Sequence, residues 1–133
     1  IVAIAGPVTN IVLAFVVASI LSTMHNFALL DNPWLVRILA NFFFINIILA
    51  VFNMIPIPPL DGGRVAVGLL PQPLSYQLAR LERYGFFIII AALFVLPLIG
   101  KKIGITLEPI HWFIQSVSSF LISIIAFITG LQI

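Results

Sequence analysis

The stretch Asn53-Met54-Ile55-Pro56-Ile57-Pro58-Pro59-Leu60-Asp61-Gly62-Gly63 sets a carboxylate and a helix-breaking run directly after a long apolar segment. Pro56, Pro58 and Pro59 lack a backbone N–H and push the residues before them out of helical geometry. The preceding helix is therefore expected to end near Ile55 and give way to extended chain, with Asp61 following in a Leu-Asp-Gly-Gly turn. Non-helical backbone at membrane depth is stable only when it is buried in protein or lines a wet cavity. The stretch is thus a candidate site, and the plainer reading of a connecting loop stands beside it.

What surrounds it is mostly hydrocarbon. Of the 133 residues 62% are hydrophobic and 8% charged, against about a quarter charged in soluble domains, which identifies an integral membrane protein. The net charge of +2 comes from six scattered basic residues that form no run or patch for nucleic acid. The absence of cysteine excludes disulfides and thiolate metal sites. The sequence opens inside an apolar run with no basic n-region and no small-residue cleavage site, which is no signal peptide. It is expected to begin partway through a longer protein.

Apolar segments at about 1–24, 34–55, 84–100 and 109–131 read as spanning helices, for which ~20 apolar residues suffice. The expected fold is all-α, a single-domain polytopic membrane helix bundle with a Pro-rich break after its second helix. Within the first span Gly6, Asn10, Ala14, Ala18 and Ser22 recur every four residues and share one face. Small residues there admit a second helix closely, but the Asn10 carboxamide needs a partner of its own. In the second span Asn46, Ala50 and Asn53 share a face; these amides either bond across helices or lead to a cavity shared with Asp61.

Leu74, Leu78 and Leu81 give the 74–84 segment the pattern of a helix lying in the membrane interface. Ser116, Ser119, Ser123, Ala126 and Gly130 read as a packing stripe on the fourth span. His25 reads as a solvated loop residue and His111 as an interface histidine. If loops alternate sides, Arg64, Arg80 and Arg83 fall opposite Lys101 and Lys102, and the positive charges nearly balance across the membrane. Alternation also puts His25 and His111 on the far side from Asp61.

Three motifs together, Ala5-Gly6-Pro7-Val8-Thr9-Asn10, the Asn53 to Gly63 stretch and Leu81-Glu82-Arg83-Tyr84-Gly85, resemble the site-2 protease family of intramembrane zinc metalloproteases. The order and the intervening spans are similar to those of compact bacterial and archaeal members over nearly the whole chain, which implies a prokaryotic cell membrane. The resemblance implies a zinc ion held by two histidines of an H-E-x-x-H helix and by the aspartate of the Leu-Asp-Gly stretch, matched here by Asp61. It further implies that Gly6, Asn10 and Asn53 hold a transmembrane peptide substrate near the metal, and that the segment 56–83 and the C-terminus face the cytosol.

Such chemistry suits the donor set: two histidines and a carboxylate leave a fourth zinc position for water, with the motif glutamate as general base. No H-E-x-x-H occurs in these residues. The family places it upstream of the Gly-x-x-x-Asn element, so the glutamate and both histidines are expected on an N-terminal helix packed against the Gly6/Asn10 face and the 53–61 stretch. Alone, this chain is expected to lack a complete zinc site and to be inactive. The leading reading is therefore the C-terminal portion of an intramembrane zinc metalloprotease. The alternative is a non-enzymatic membrane scaffold, or a zinc-less relative, that binds partner helices. A transporter built on a broken helix would call for a second broken segment, and only one is seen.

Overall fold

The computed structural model describes residues 2–29 and 31–132; Ile1, where the first span is expected to start, lies outside them. The described residues form helices α1 (Val2–Asn26), α2 (Pro33–Asn53), α3 (Asp61–Leu69), α4 (Leu74–Arg80), α5 (Glu82–Ile90), α6 (Leu96–Ile103) and α7 (Pro109–Thr129), and α5 runs into α6 through a π-helical turn at Ala91–Val95. Among the described residues four helical stretches are long and apolar enough to cross a membrane: Val2–Asn26, Pro33–Asn53, Glu82–Ile103 and Pro109–Thr129.

The α1–α2 hairpin forms the core. Ala14 and Ala18 are fully buried, so the backbones approach closely, and Phe43, Ile47 and Val51 of α2 fill the space beside Val17 and Leu21. Asn32 caps α2, accepting from the Leu35 N–H at 3.2 Å, and Pro33 opens the helix where no N–H is needed. Several hydroxyls within the apolar helices are satisfied internally, Thr9 donating to the Ala5 carbonyl at 2.7 Å and Ser123 to that of Ser119 at 2.8 Å, whereas the buried Ser118 hydroxyl has no partner among the described residues. Asn46, buried, donates to Phe42 of its own helix at 2.8 Å rather than across to a neighbour. A local carbonyl four residues back is always within reach of this side chain, whereas a cross-helix partner is not.

α2 ends at Asn53, two residues before the expected limit, and the Leu-Asp-Gly-Gly turn is instead the first turn of a helix, α3. The reason lies in contacts the sequence pattern does not reveal. Gly62 and Gly63 let the α3 backbone rest directly on the chain at Met54 and at Ile57–Pro58. The same loop is gripped from its other side by Gly85 of α5, which meets Pro58 and Pro59. Ser75 Oγ donates to the Val67 carbonyl at 2.9 Å and folds α4 back on α3.

α7 corrects the alternation of sides. Its first turn places Ile110 in a buried cluster with Ile55 and Ile89, whereas at its other end Leu131 packs on the core that includes Leu21, and Gly130 lies next to Ser22. α7 therefore runs in the same direction as α1. The third apolar helix does not deliver the chain to the His25 end, because residues 104–108 double back: Gly104 adopts a left-handed conformation and Ile105 N–H donates to the Gly100 carbonyl at 2.9 Å. The C-terminal end of α7, with Leu131 and Gln132, consequently lies at the His25 end, not at the end carrying the Pro-rich break. Ser116, Ser119 and Ser123 are exposed rather than packed, since α7 uses Ile110, Ser118 and Ile125 as its buried face.

Gly85→Ala must push α5 off the loop and should lower stability by about 1–3 kcal/mol as an overpacking change. Gly68→Ala, with nothing within 4 Å of its Cβ position, should hold or slightly raise the thermal midpoint in detergent. Because the chain has no cysteine, single reporters are clean. An impermeant maleimide should reach Gln132→Cys and Asn26→Cys from one side of the membrane and Gly68→Cys from the other; Gln132→Cys reacting together with Gly68→Cys would restore strict alternation.

Candidate functional site

Asp61 is the first residue of α3, half-buried, with its carboxylate turned toward α1. Leu60 precedes it in extended backbone, and the free N–H groups of the helix start give a carboxylate a favourable electrostatic setting. The element facing it is Gly6. A Cβ built on Gly6 would stand 2.7 Å from Asp61 Oδ2, inside van der Waals contact, so a larger residue there would make the carboxylate turn away from this position. The Gly-x-x-x-Asn and Leu-Asp-Gly motifs, 55 positions apart by their numbers (61 − 6), thus meet in space.

Asn53 is the last residue of α2 and half-buried. Its neighbour Met54 carries the carbonyl that Gly62, the neighbour of Asp61, rests against, which brings Asn53 and Asp61 to the same end of the bundle. Asn10 is also half-buried and lies one turn along α1 from Gly6, about 6 Å by helical rise. Among the described residues the side chains of Asn10, Asn53 and Asp61 take part in no hydrogen bond or ion pair with the rest of the chain. Three polar groups with free bonding capacity therefore lie toward the same end of the bundle.

The α1 stripe divides accordingly. Ala14, Ala18 and Ser22 are buried against the bundle, whereas Gly6 is exposed and Asn10 half-exposed. The packing reading holds for the half of the stripe near His25, and the half near Asp61 is left open.

The histidines take different places. His25, expected in a loop, lies in the last turn of α1, nineteen residues from Gly6 and so about 28 Å away along the helix. His111, expected on that far side, instead lies in the first turn of α7 at the Asp61 end, beside Ala92, Pro97 and Glu108. Among the described residues no three His, Asp or Glu side chains are grouped to hold a metal ion. Zinc sites in proteins take three or four protein ligands, and these residues offer Asp61 alone; they do not fit a complete zinc site.

What sequence reasoning missed is how Asp61 is held. Arg64, one turn on, pairs with Glu82 at 3.7 Å, and Gly62, Gly63 and Gly85 lock the loop around it. The Gly-Gly pair carried a signal, since successive glycines next to a rigid Pro-rich run are suited to close backbone approach.

A family model described as peptidase family M50 matches residues 23–96, a stretch that contains the Pro-rich break, Asp61 and Gly85. The chain is 40% identical over 101 residues to the candidate zinc metalloprotease YwhC of Bacillus subtilis (strain 168), covering 73% of this chain and 46% of that protein. It is 37% identical over 87 residues to a candidate zinc metalloprotease of Methanocaldococcus jannaschii, covering 65% and 41% respectively. The chain spans less than half the length of both relatives. No solved structure matches it.

The contact between the two motifs can be read chemically. Gly6→Cys with Asp61→Cys should form a disulfide under mild oxidation, seen as fragments that stay joined after cleavage at a protease site placed in the α1–α2 loop. Val12→Cys with Asp61→Cys should not, and equal cross-linking of both pairs would remove the contact.

Proposed function

Because this chain belongs to peptidase family M50, we propose that it forms the part of an intramembrane zinc metalloprotease that presents one carboxylate ligand, Asp61, to the metal, with Gly6, Asn10 and Asn53 lining the groove for a membrane-embedded peptide. The observation that carries the reading is the seating of the Asp61 carboxylate against Gly6. The remaining donors come from a helix bearing H-E-x-x-H that packs on the open half of the α1 stripe. Zinc, when bound, supplies a polarised water for peptide hydrolysis.

The residues of this chain contribute position rather than proton transfer. Three glycines and three prolines fix the loop, so Asp61 enters the site with little freedom left to lose. The half-buried amides of Asn10 and Asn53 can bond the backbone of a substrate whose helix has been unwound, because an extended peptide exposes N–H and C=O groups that a helix keeps to itself. The Pro-rich break leaves residues 54–60 without regular structure next to Asp61, where such a strand can lie. That end faces the cytosol in this reading, and the maleimide experiment on intact cells reports it.

In the full-length protein Asp61→Asn should abolish cleavage of a membrane-embedded substrate and lower zinc content, while the helical circular dichroism and the thermal midpoint stay near those of the parent. Asn10→Ala and Asn53→Ala should lower cleavage with zinc content kept. Unchanged proteolysis in Asp61→Asn would return the Leu-Asp-Gly stretch to a connecting role. A gene whose full-length product carries no H-E-x-x-H would leave the scaffold that binds partner helices in place of the protease.

A further inference from the structure

We propose that the end of α4 and the start of α5 form a docking surface for anionic phospholipid headgroups, with Arg80 and Arg83 as the phosphate-binding groups. α4 turns Ser75, Leu78 and Ala79 toward the protein and leaves Leu74 and Tyr76 52% and 60% exposed. Leu78 therefore does not join Leu74 and Leu81 on an outward apolar face, as the heptad-like spacing suggests. The outward side consists of two leucines, Leu74 and Leu81, next to a ridge of arginine and tyrosine.

The charges on this ridge are not neutralised. Arg64 is the basic residue that pairs with Glu82. Arg80 lies over the Tyr76 ring at 5.8 Å and Arg83 over the Tyr84 ring at 5.9 Å, and among the described residues neither forms an ion pair with a carboxylate. A guanidinium held only by its distance to a ring keeps its N–H groups free, and their fork matches two phosphate oxygens.

Depth selects the occupant. Gly85, two residues past Arg83, rests on Pro58 in the loop that follows the apolar helix α2, so Arg80 and Arg83 lie near the level at which that helix leaves the hydrocarbon for the headgroups. Tyrosines are favoured at that level, and leucines beside them can dip toward the acyl chains. A surface that is cationic, aromatic and apolar at once, and continuous with the long apolar helical stretch Glu82–Ile103, is complementary to an anionic lipid layer. Since α4 is bonded to α3 through Ser75, and Arg64 of α3 to Glu82, lipid held here would also steady the helix that carries Asp61.

Native mass spectrometry of the full-length protein in neutral detergent, titrated with palmitoyl-oleoyl phosphatidylglycerol and with the phosphatidylcholine of the same chains, isolates the headgroup. Each arginine at an anionic surface is worth about a fivefold gain, so the parent should prefer phosphatidylglycerol by roughly twenty- to thirty-fold. Arg80→Gln/Arg83→Gln should bind both lipids alike, Arg80→Lys/Arg83→Lys should keep most of the preference, and Arg37→Gln should keep all of it. Should the double glutamine variant not fold, each single variant is expected to lose about a fivefold factor. Equal affinity of the parent for both lipids overturns the proposal. So does a preference that survives Arg80→Gln/Arg83→Gln and disappears in Lys101→Gln/Lys102→Gln.

Discussion

Everything at the Asp61 end of this bundle depends on backbone meeting backbone. The loop after α2 is built from residues that cannot donate hydrogen bonds and cannot continue a helix, and in an apolar surrounding such a chain needs a surface to lie against. Gly62, Gly63 and Gly85 provide it, each at a point where a Cβ would overlap the loop. The loop is rigid by its own prolines and immobilised by residues that lack side chains, a combination in which neither partner has rotamers to lose. Pro58, fully buried, sits at the centre of this contact.

The same logic of missing side chains sets up Asp61. Gly6 leaves room on α1 for a carboxylate, and four residues on Asn10 begins the run along which the helix turns from open to packed. A repeat of small residues that looks uniform in the sequence is thus used in two ways: close helix contact at Ala14 and Ala18, and access at Gly6. The family match adds that an end of this kind belongs to a peptidase lineage, although the match begins after Gly6 and Asn10.

The spanning helices were legible from apolar length alone, and the place of the break from its prolines, because both follow from local chemistry. Asp61 and Gly6 could be singled out by motif, yet their contact could not, since a one-dimensional pattern carries no distance between helices. α3 was read as a turn because Asp-Gly-Gly has poor helix propensity, and tertiary docking on Met54 and Pro58 outweighs that preference. The direction of α7 departs from strict alternation for a related reason: alternation counts apolar segments, and residues 104–108 reverse the chain through a left-handed glycine and a single backbone bond at Gly100. His111 changed ends with it.

The π-helical turn at Ala91–Val95 has a consequence for sequence length. A π-turn holds one residue more than the α-helix on either side of it, so the helix beyond is out of phase by about 100° with the helix before. A single deletion within these five residues would let the helix close up as uninterrupted α and rotate Leu96–Ile103 as a block, carrying Lys101 and Lys102 to another side. Nothing before Ala91 would have to move. The third helix thus contains a phase joint at which its outer half can be re-aimed by the gain or loss of one codon, while the glycine at its base stays seated on the proline loop.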